Sequence, residues 1–132
     1  MAKINEEMKT LLNEVPICVF ATADENGIPN AVPIHYSKIM DDSKIMLVDN
    51  FMKKTLHNIN ANPNVSISVW KGKTGYQFKG RASVETSGAN FDLGKEMVLK
   101  NNPKGNPKGV VIIDIDSIYI TSPGPEAGNK VE

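Results

Sequence analysis

Short runs of β-forming residues, separated by turn residues at hairpin spacing, recur along most of this chain. Ile17–Ala23 is apolar and β-prone, and Asp24-Glu25-Asn26-Gly27 follows it. Asn-Gly is a strong hairpin signal because both positions tolerate positive φ. Ile17–Ala23 and Ile28–Tyr36 are therefore predicted to pair. Pro29 and Pro33 each remove a backbone donor from the second arm, which puts that arm at a sheet edge or makes it irregular. A turn at Asp41-Asp42-Ser43 leads into a third strand, Lys44–Asp49. Val65, Ile67 and Val69 alternate with Ser66, Ser68 and Trp70, a strand with two distinct faces. Beyond the loop Lys71–Gly75, Tyr76–Glu85 reads as a long strand, with Gly80 marking a bend or a close backbone approach. Val110–Ile115 and Ser117–Ile120 supply a last strand or strand pair.

Three segments change period. Ile4, Met8, Leu11, Leu12 and Val15 fall on one face of a helix within residues 1–15, ended by Pro16. Phe51–Ala61 reads as a short helix stopped by Asn62-Pro63. Phe91, Leu93, Met97 and Val98 suit another, ending near Asn101. Residues 102–109 form a loop with neither period. Residues 122–132, opening Ser122-Pro123-Gly124-Pro125, make a tail not expected to pack as regular structure. Too few helices alternate with the six or seven strands for a doubly wound parallel sheet. The expected fold is mainly β: a closed or nearly closed antiparallel barrel with flanking helices, with a β-sandwich as the alternative. At 132 residues with no internal boundary, one domain over 1–132 is expected.

Composition removes several functions. Fifteen Lys+Arg balance fifteen Asp+Glu, so no net field draws nucleic acid or an anionic membrane. Arg81 is the only arginine, although bidentate phosphate recognition favours Arg. The single Cys18 excludes an intrachain disulfide and a Cys-rich zinc site. The N-terminal stretch is amphipathic and polar, and no apolar run approaches membrane-spanning length. A soluble cytoplasmic protein is expected, with neither nucleic acid nor membrane as partner.

Catalytic and metal constellations are equally thin. Cys18 lies in an apolar strand, where a cysteine packs as a small hydrophobe. Ser66 and Ser68 lack elbow glycines, and His57 sits on the polar side of a helix. Asp41-Asp42 reads as a turn and Asp114/Asp116 as the solvent face of a strand, without calcium-loop spacing. No catalytic residue and no metal ligand is assigned. Phosphate binding is the exception. Asp49-Asn50-Phe51-Met52-Lys53-Lys54-Thr55 joins a strand to a helix and offers backbone N–H groups, two ammoniums and a hydroxyl. A solvated Lys-Lys pair is the competing reading, weakened because cations there oppose the helix dipole. The proline-interrupted segment Asn30–Tyr36 has free backbone groups that could meet the polar edge of a planar ring. Ring, phosphate and small barrel together point to flavin mononucleotide, FMN.

At these residues the chain resembles the pyridoxamine 5′-phosphate oxidase-like, FMN-binding split-barrel flavoproteins, especially their small bacterial and archaeal members. Four segments carry the likeness in order: Ala21–Pro33, Met52–Ser68, Gly75–Ala82 and Ile113–Tyr119. The resemblance implies a split β-barrel whose FMN phosphate is held by Lys54 and Thr55, with Lys53 beside them. It implies that Val32, Pro33 and Ile34 lie along the ring edge, and that Val48, Asp49 and Asn50 touch the ribityl and ring region. Gln77 is a looser carry-over. It further implies a homodimer with FMN at the interface. Some relatives use the deazaflavin F420 or haem instead, but Lys53-Lys54-Thr55 favours a phosphate monoester. The oxidases proper are longer and have an arginine-rich substrate site, so vitamin B6 oxidation is not expected here. Two functions follow from the likeness. One is an FMN-dependent oxidoreductase passing hydride or electrons to a small molecule or redox partner; the other is an electron-transfer or flavin-storage protein without a substrate pocket, or an F420-binding relative.

Overall fold

A computed structural model describes residues 2–50 and 52–131. The elements in chain order are α1 (Glu6–Glu14), β1 (Cys18–Ala23), β2 (Pro29–Ile34), β3 (Ser37–Asp41), β4 (Lys44–Asp49), α2 (Lys54–Ala61), β5 (Asn64–Lys71), β6 (Thr74–Glu85), α3 (Ala89–Asn101) and β7 (Gly109–Ile120). Local chemistry accounts for the first of them. Asn5 caps α1 by accepting the Met8 N–H at 2.9 Å, and Glu6 and Glu7 occupy the first turn, where the helix dipole favours them. Between β1 and β2 the Asp24 carboxylate accepts the N–H groups of Asn26 and Ile28, and Gly27 takes the positive φ of 81° that closes the turn.

The strands form one antiparallel sheet in the order β2-β1-β5-β6-β7-β4-β3. Its shape follows from that order. The two edge strands, β2 and β3, are joined only by His35 and Tyr36. Laid flat, seven strands would hold their outer members about 29 Å apart, at about 4.8 Å per strand. Three Cα steps bridge at most about 11 Å. The sheet must therefore roll until its edges approach, leaving a split between β2 and β3 rather than a ladder.

Rolling needs local distortion, and the β6–β7 ladder supplies it. Lys79 pairs with Ser117 but Gly80 pairs with Ile115, so Asp116 is the extra residue of a bulge. A Cβ at Gly80 would collide with the Asp114 carbonyl oxygen and come within 2.8 Å of its carbon. The glycine is thus a close approach of two backbones.

Two apolar cores result. Phe20, Ile45, Leu47, Ile67, Phe78, Val111 and Ile113 fill the inside of the roll, closed by Met8, Leu11 and Leu12 of α1. Outside, α3 lays Val98 on Met46, Val48, Val110 and Ile112. β4 is buried on both faces for this reason, which is why Ile-Met-Leu-Val reads as a continuous apolar run.

The structure corrects the sequence reading in several places. A sandwich is excluded, because all the strands share one sheet. The second hairpin arm stops at Ile34, since the chain must cross to the other edge through His35-Tyr36. Ser37–Asp41, unassigned from the sequence, is an edge strand whose mixed composition hid it. The last strand, Gly109–Ile120, is one bulged strand rather than two. The tail is not free: Tyr119 bridges Lys130, and the Val131 N–H donates to the Ile118 carbonyl at 2.7 Å. Val131 packs on the core, which explains why a segment with Pro and Gly returns to the sheet. The second helix begins at Lys54; Phe51, where its apolar pattern starts, lies outside the described residues.

Candidate functional site

The start of α2 differs from that of α1 in a way that defines a site. Its N-cap is Lys53, no side chain caps it, and no acidic residue stands in the first turn. The first N–H groups of this helix thus face outward without a side-chain acceptor, next to two ammoniums. Such a turn has the donors and charge that suit an anion.

Thr55 in this turn is only 3% exposed, and its Oγ1 accepts from the Asn30 amide at 3.1 Å. Asn30 also donates to Thr22 at 3.2 Å, and Asn58, one helical turn beyond Thr55, donates to Thr22 at 3.0 Å. A small polar network therefore fixes α2 against β1 and β2 inside an otherwise apolar barrel. Accepting from Asn30 leaves the Thr55 hydroxyl its own proton to donate, and the residue lines the cleft.

That cleft measures about 800 Å³ and opens beside the free edge of β2. Pro29 and Pro33 fall on the same alternation of β2, and an edge strand tolerates proline where the missing N–H would face away from its partner. Of the sequence-selected residues, Val32, Pro33, Ile34, Val48, Asn50, Lys53, Lys54 and Thr55 all line the cleft. Asp49 and Gln77 do not. Asp49 is 1% exposed beneath the floor and accepts the Met52 N–H at 2.8 Å, which holds the turn between β4 and α2. Burial pushes its carboxyl upward, against the opposing effects of the Met52 N–H and the Lys108 charge. Gln77 is half-buried within β6, opposite Ser68 and Tyr119.

The far wall was not found from the sequence. Asn102, Lys104, Gly105, Asn106 and Lys108 line it, with Val98 of α3 behind them. The signal was present: Asn-Pro-Lys-Gly occurs twice in tandem over residues 102–109. The segment is anchored rather than loose. The Lys108 N–H donates to the Asp49 carbonyl at 2.8 Å, Pro107 is buried, and a Cβ at Gly105 would press on Val98 at 2.8 Å.

Other candidates stay outside. Cys18 is buried with its thiol pushed up to about 11 by desolvation, an inert core residue. His57 is exposed, 3.7 Å from Glu25. Among the described residues no three His, Cys, Asp or Glu side chains are grouped to hold a metal, and no helix is long and apolar enough to cross a membrane.

A rolled seven-stranded antiparallel sheet, open between its two edge strands and flanked by short helices, is a split barrel of the FMN-binding type. The chain belongs to the pyridoxamine 5′-phosphate oxidase family, whose model matches residues 4–122. An uncharacterised protein of Methanocaldococcus jannaschii is 38% identical over 135 residues, spanning 99% of this chain and 89% of that protein. The structure of HupZ from Group A Streptococcus has a TM-score of 0.83 at 31% identity, covering 95% of this chain and 99% of that one. An FMN-binding protein from Syntrophomonas wolfei shares the fold at a TM-score of 0.79 and 20% identity, covering 88% and 84%.

Proposed function

We propose that this chain is a flavoprotein that binds FMN in the cleft, forms a homodimer around it, and acts as an oxidoreductase on a small molecule or redox partner. The observation that carries the reading is the uncapped, doubly basic start of α2 at one end of a cleft walled by an unpaired strand edge. Lys53 and Lys54 would balance the phosphate, and the Thr55 hydroxyl and the first N–H groups of α2 would donate to its oxygens. Val32, Pro33 and Ile34 would orient the ring by its polar edge, while Val48 and Val98 would shield it from water. FMN when bound supplies hydride and single-electron chemistry, so the protein has to contribute binding, orientation and electrostatics. No lining residue is needed as an acid or base.

The open volume of the cleft supports an oxidoreductase over a flavin carrier. The family name does not carry its substrate across. Arg81, the only arginine, is exposed on β6 opposite Asn64 and Asp114, away from the cleft. The test is direct: record the absorption spectrum of the purified protein, then titrate FMN and riboflavin by fluorescence quenching. One FMN per subunit is expected. Colourless protein that also ignores added FMN would overturn the reading.

A further inference from the structure

The cleft carries more positive charge than one phosphate monoester requires. Lys53 and Lys54 stand at the α2 end, and Lys104 and Lys108 on the wall built by the doubled tetrapeptide. Among the described residues no Asp or Glu lines the cleft and none of the four lysines pairs with a carboxylate. On a chain with equal numbers of acids and bases this is a local excess. A phosphate monoester carries about −1.5 to −2 near neutral pH, a charge that Lys53 and Lys54 already match. Part of the Lys108 field falls on the buried Asp49 carboxylate. Lys104 has no such neighbour.

Exposed lysines borne on an anchored stretch of backbone, rather than on a loose tail, raise the local potential on one side of the cleft. The wall is held by the Lys108–Asp49 backbone bond, by buried Pro107, and by the Asn102 side chain, which accepts the Lys104 N–H at 3.2 Å. Resting on the FMN reading above, we infer that Lys104 and Lys108 form a second anion subsite. It receives the carboxylate or phosphate of a small second ligand bound beside the flavin. The volume is toward the upper end of small-molecule sites, which leaves room for two occupants.

The experiment uses FMN-loaded protein. Inorganic phosphate and succinate are titrated separately by calorimetry at low ionic strength into wild type, Lys104→Gln and Lys104→Gln/Lys108→Gln. A control, Lys95→Gln/Lys100→Gln, removes the same charge from the exposed side of α3. At least one probe should bind wild type saturably, about tenfold weaker in the double variant and unchanged in the control, as expected for charge-assisted contacts. Lys104→Gln alone should give part of that loss. FMN affinity should move by less than about threefold, because its phosphate contacts are elsewhere. The preferred probe identifies the anion as phosphate or carboxylate. The subsite is overturned if neither probe binds, if the control weakens binding equally, or if the double variant loses FMN as strongly as it loses the probe. Absence of FMN binding to wild type, seen in the preceding flavin titration, would instead overturn the proposed function, and the subsite with it.

Discussion

Lys54 and Asp49 lie five residues apart and play opposite parts in the cleft, one facing its space and one buried under its floor. Lys54→Ala should weaken FMN by about 1.5–3 kcal/mol, the range for hydrogen bonds to charged groups, and riboflavin far less. Parallel titrations of the two ligands measure this; an equal loss would place the lysine away from the phosphate. Asp49 predicts a pH effect. Burial raises its folded-state pKa above the ordinary 3.8, so the native chain keeps a proton that the unfolded chain has released. Its contribution is complete below about 3.8 and is lost as pH rises through the raised value. Asp49→Asn keeps an oxygen for the Met52 N–H but cannot ionise. Its stability should therefore gain on wild type as pH rises through that window. Urea unfolding from about pH 3 to 7 tests it, and curves that stay parallel would contradict the shift.

Elements here are positioned by a few backbone contacts, and the β6–β7 bulge is the most exacting of them. Gly80→Ala would drive a methyl into the Asp114 carbonyl with Ile115 Cα at 3.1 Å, so both strands must shift. A loss of about 1–3 kcal/mol is expected, at the level of an overpacked core, read as a lower urea midpoint. Unchanged stability would mean the bulge can slide. The glycine itself stood out in the sequence as a close approach, whereas the residue it approaches did not. The α2 turn divides similarly. Its lysines and hydroxyl were legible because they are consecutive, but the Asn30 and Asn58 amides that anchor it arrive through β2 pairing and helix docking. β3 went unseen because Ser-Lys-Ile-Met-Asp lacks clean alternation; it packs Ile39 on the inner core and Met40 on the outer one.

At the scale of the molecule, the split leaves the β2 edge without a strand partner while the cleft beside it stays open. A second copy that covers this region would wall off the flavin and bury apolar surface together. Two-fold association is the commonest way for a soluble chain to do so. The proposed dimer of 14.4 kDa subunits should therefore be linked to FMN: added FMN tightens the dimer, and dilution loosens FMN. Sedimentation velocity with and without FMN reads both effects. A monomer at micromolar concentration that holds FMN firmly would remove the partner from the site.

What the sequence determined by itself was everything set by neighbours a few residues apart. The Asn26-Gly27 turn, the proline-marked edge, the Pro16 and Asn62-Pro63 stops and the Lys53-Lys54-Thr55 anion turn all depend on local φ preferences, missing donors and adjacent charge. The order of the strands, the burial of Asp49, the return of the tail and the meeting of Lys104 and Lys108 with Lys53 and Lys54 did not. Those depend on which strands pair over long range: the β4–β7 ladder sets Gly109 opposite Asp49 and so carries residues 104–108 to the start of α2, joining segments from opposite halves of the chain. A loop such as residues 102–109 carries no period that reveals its neighbour. Only long-range strand pairing decides which charges share one cleft, because the field in that space is a sum over residues that local propensity never links.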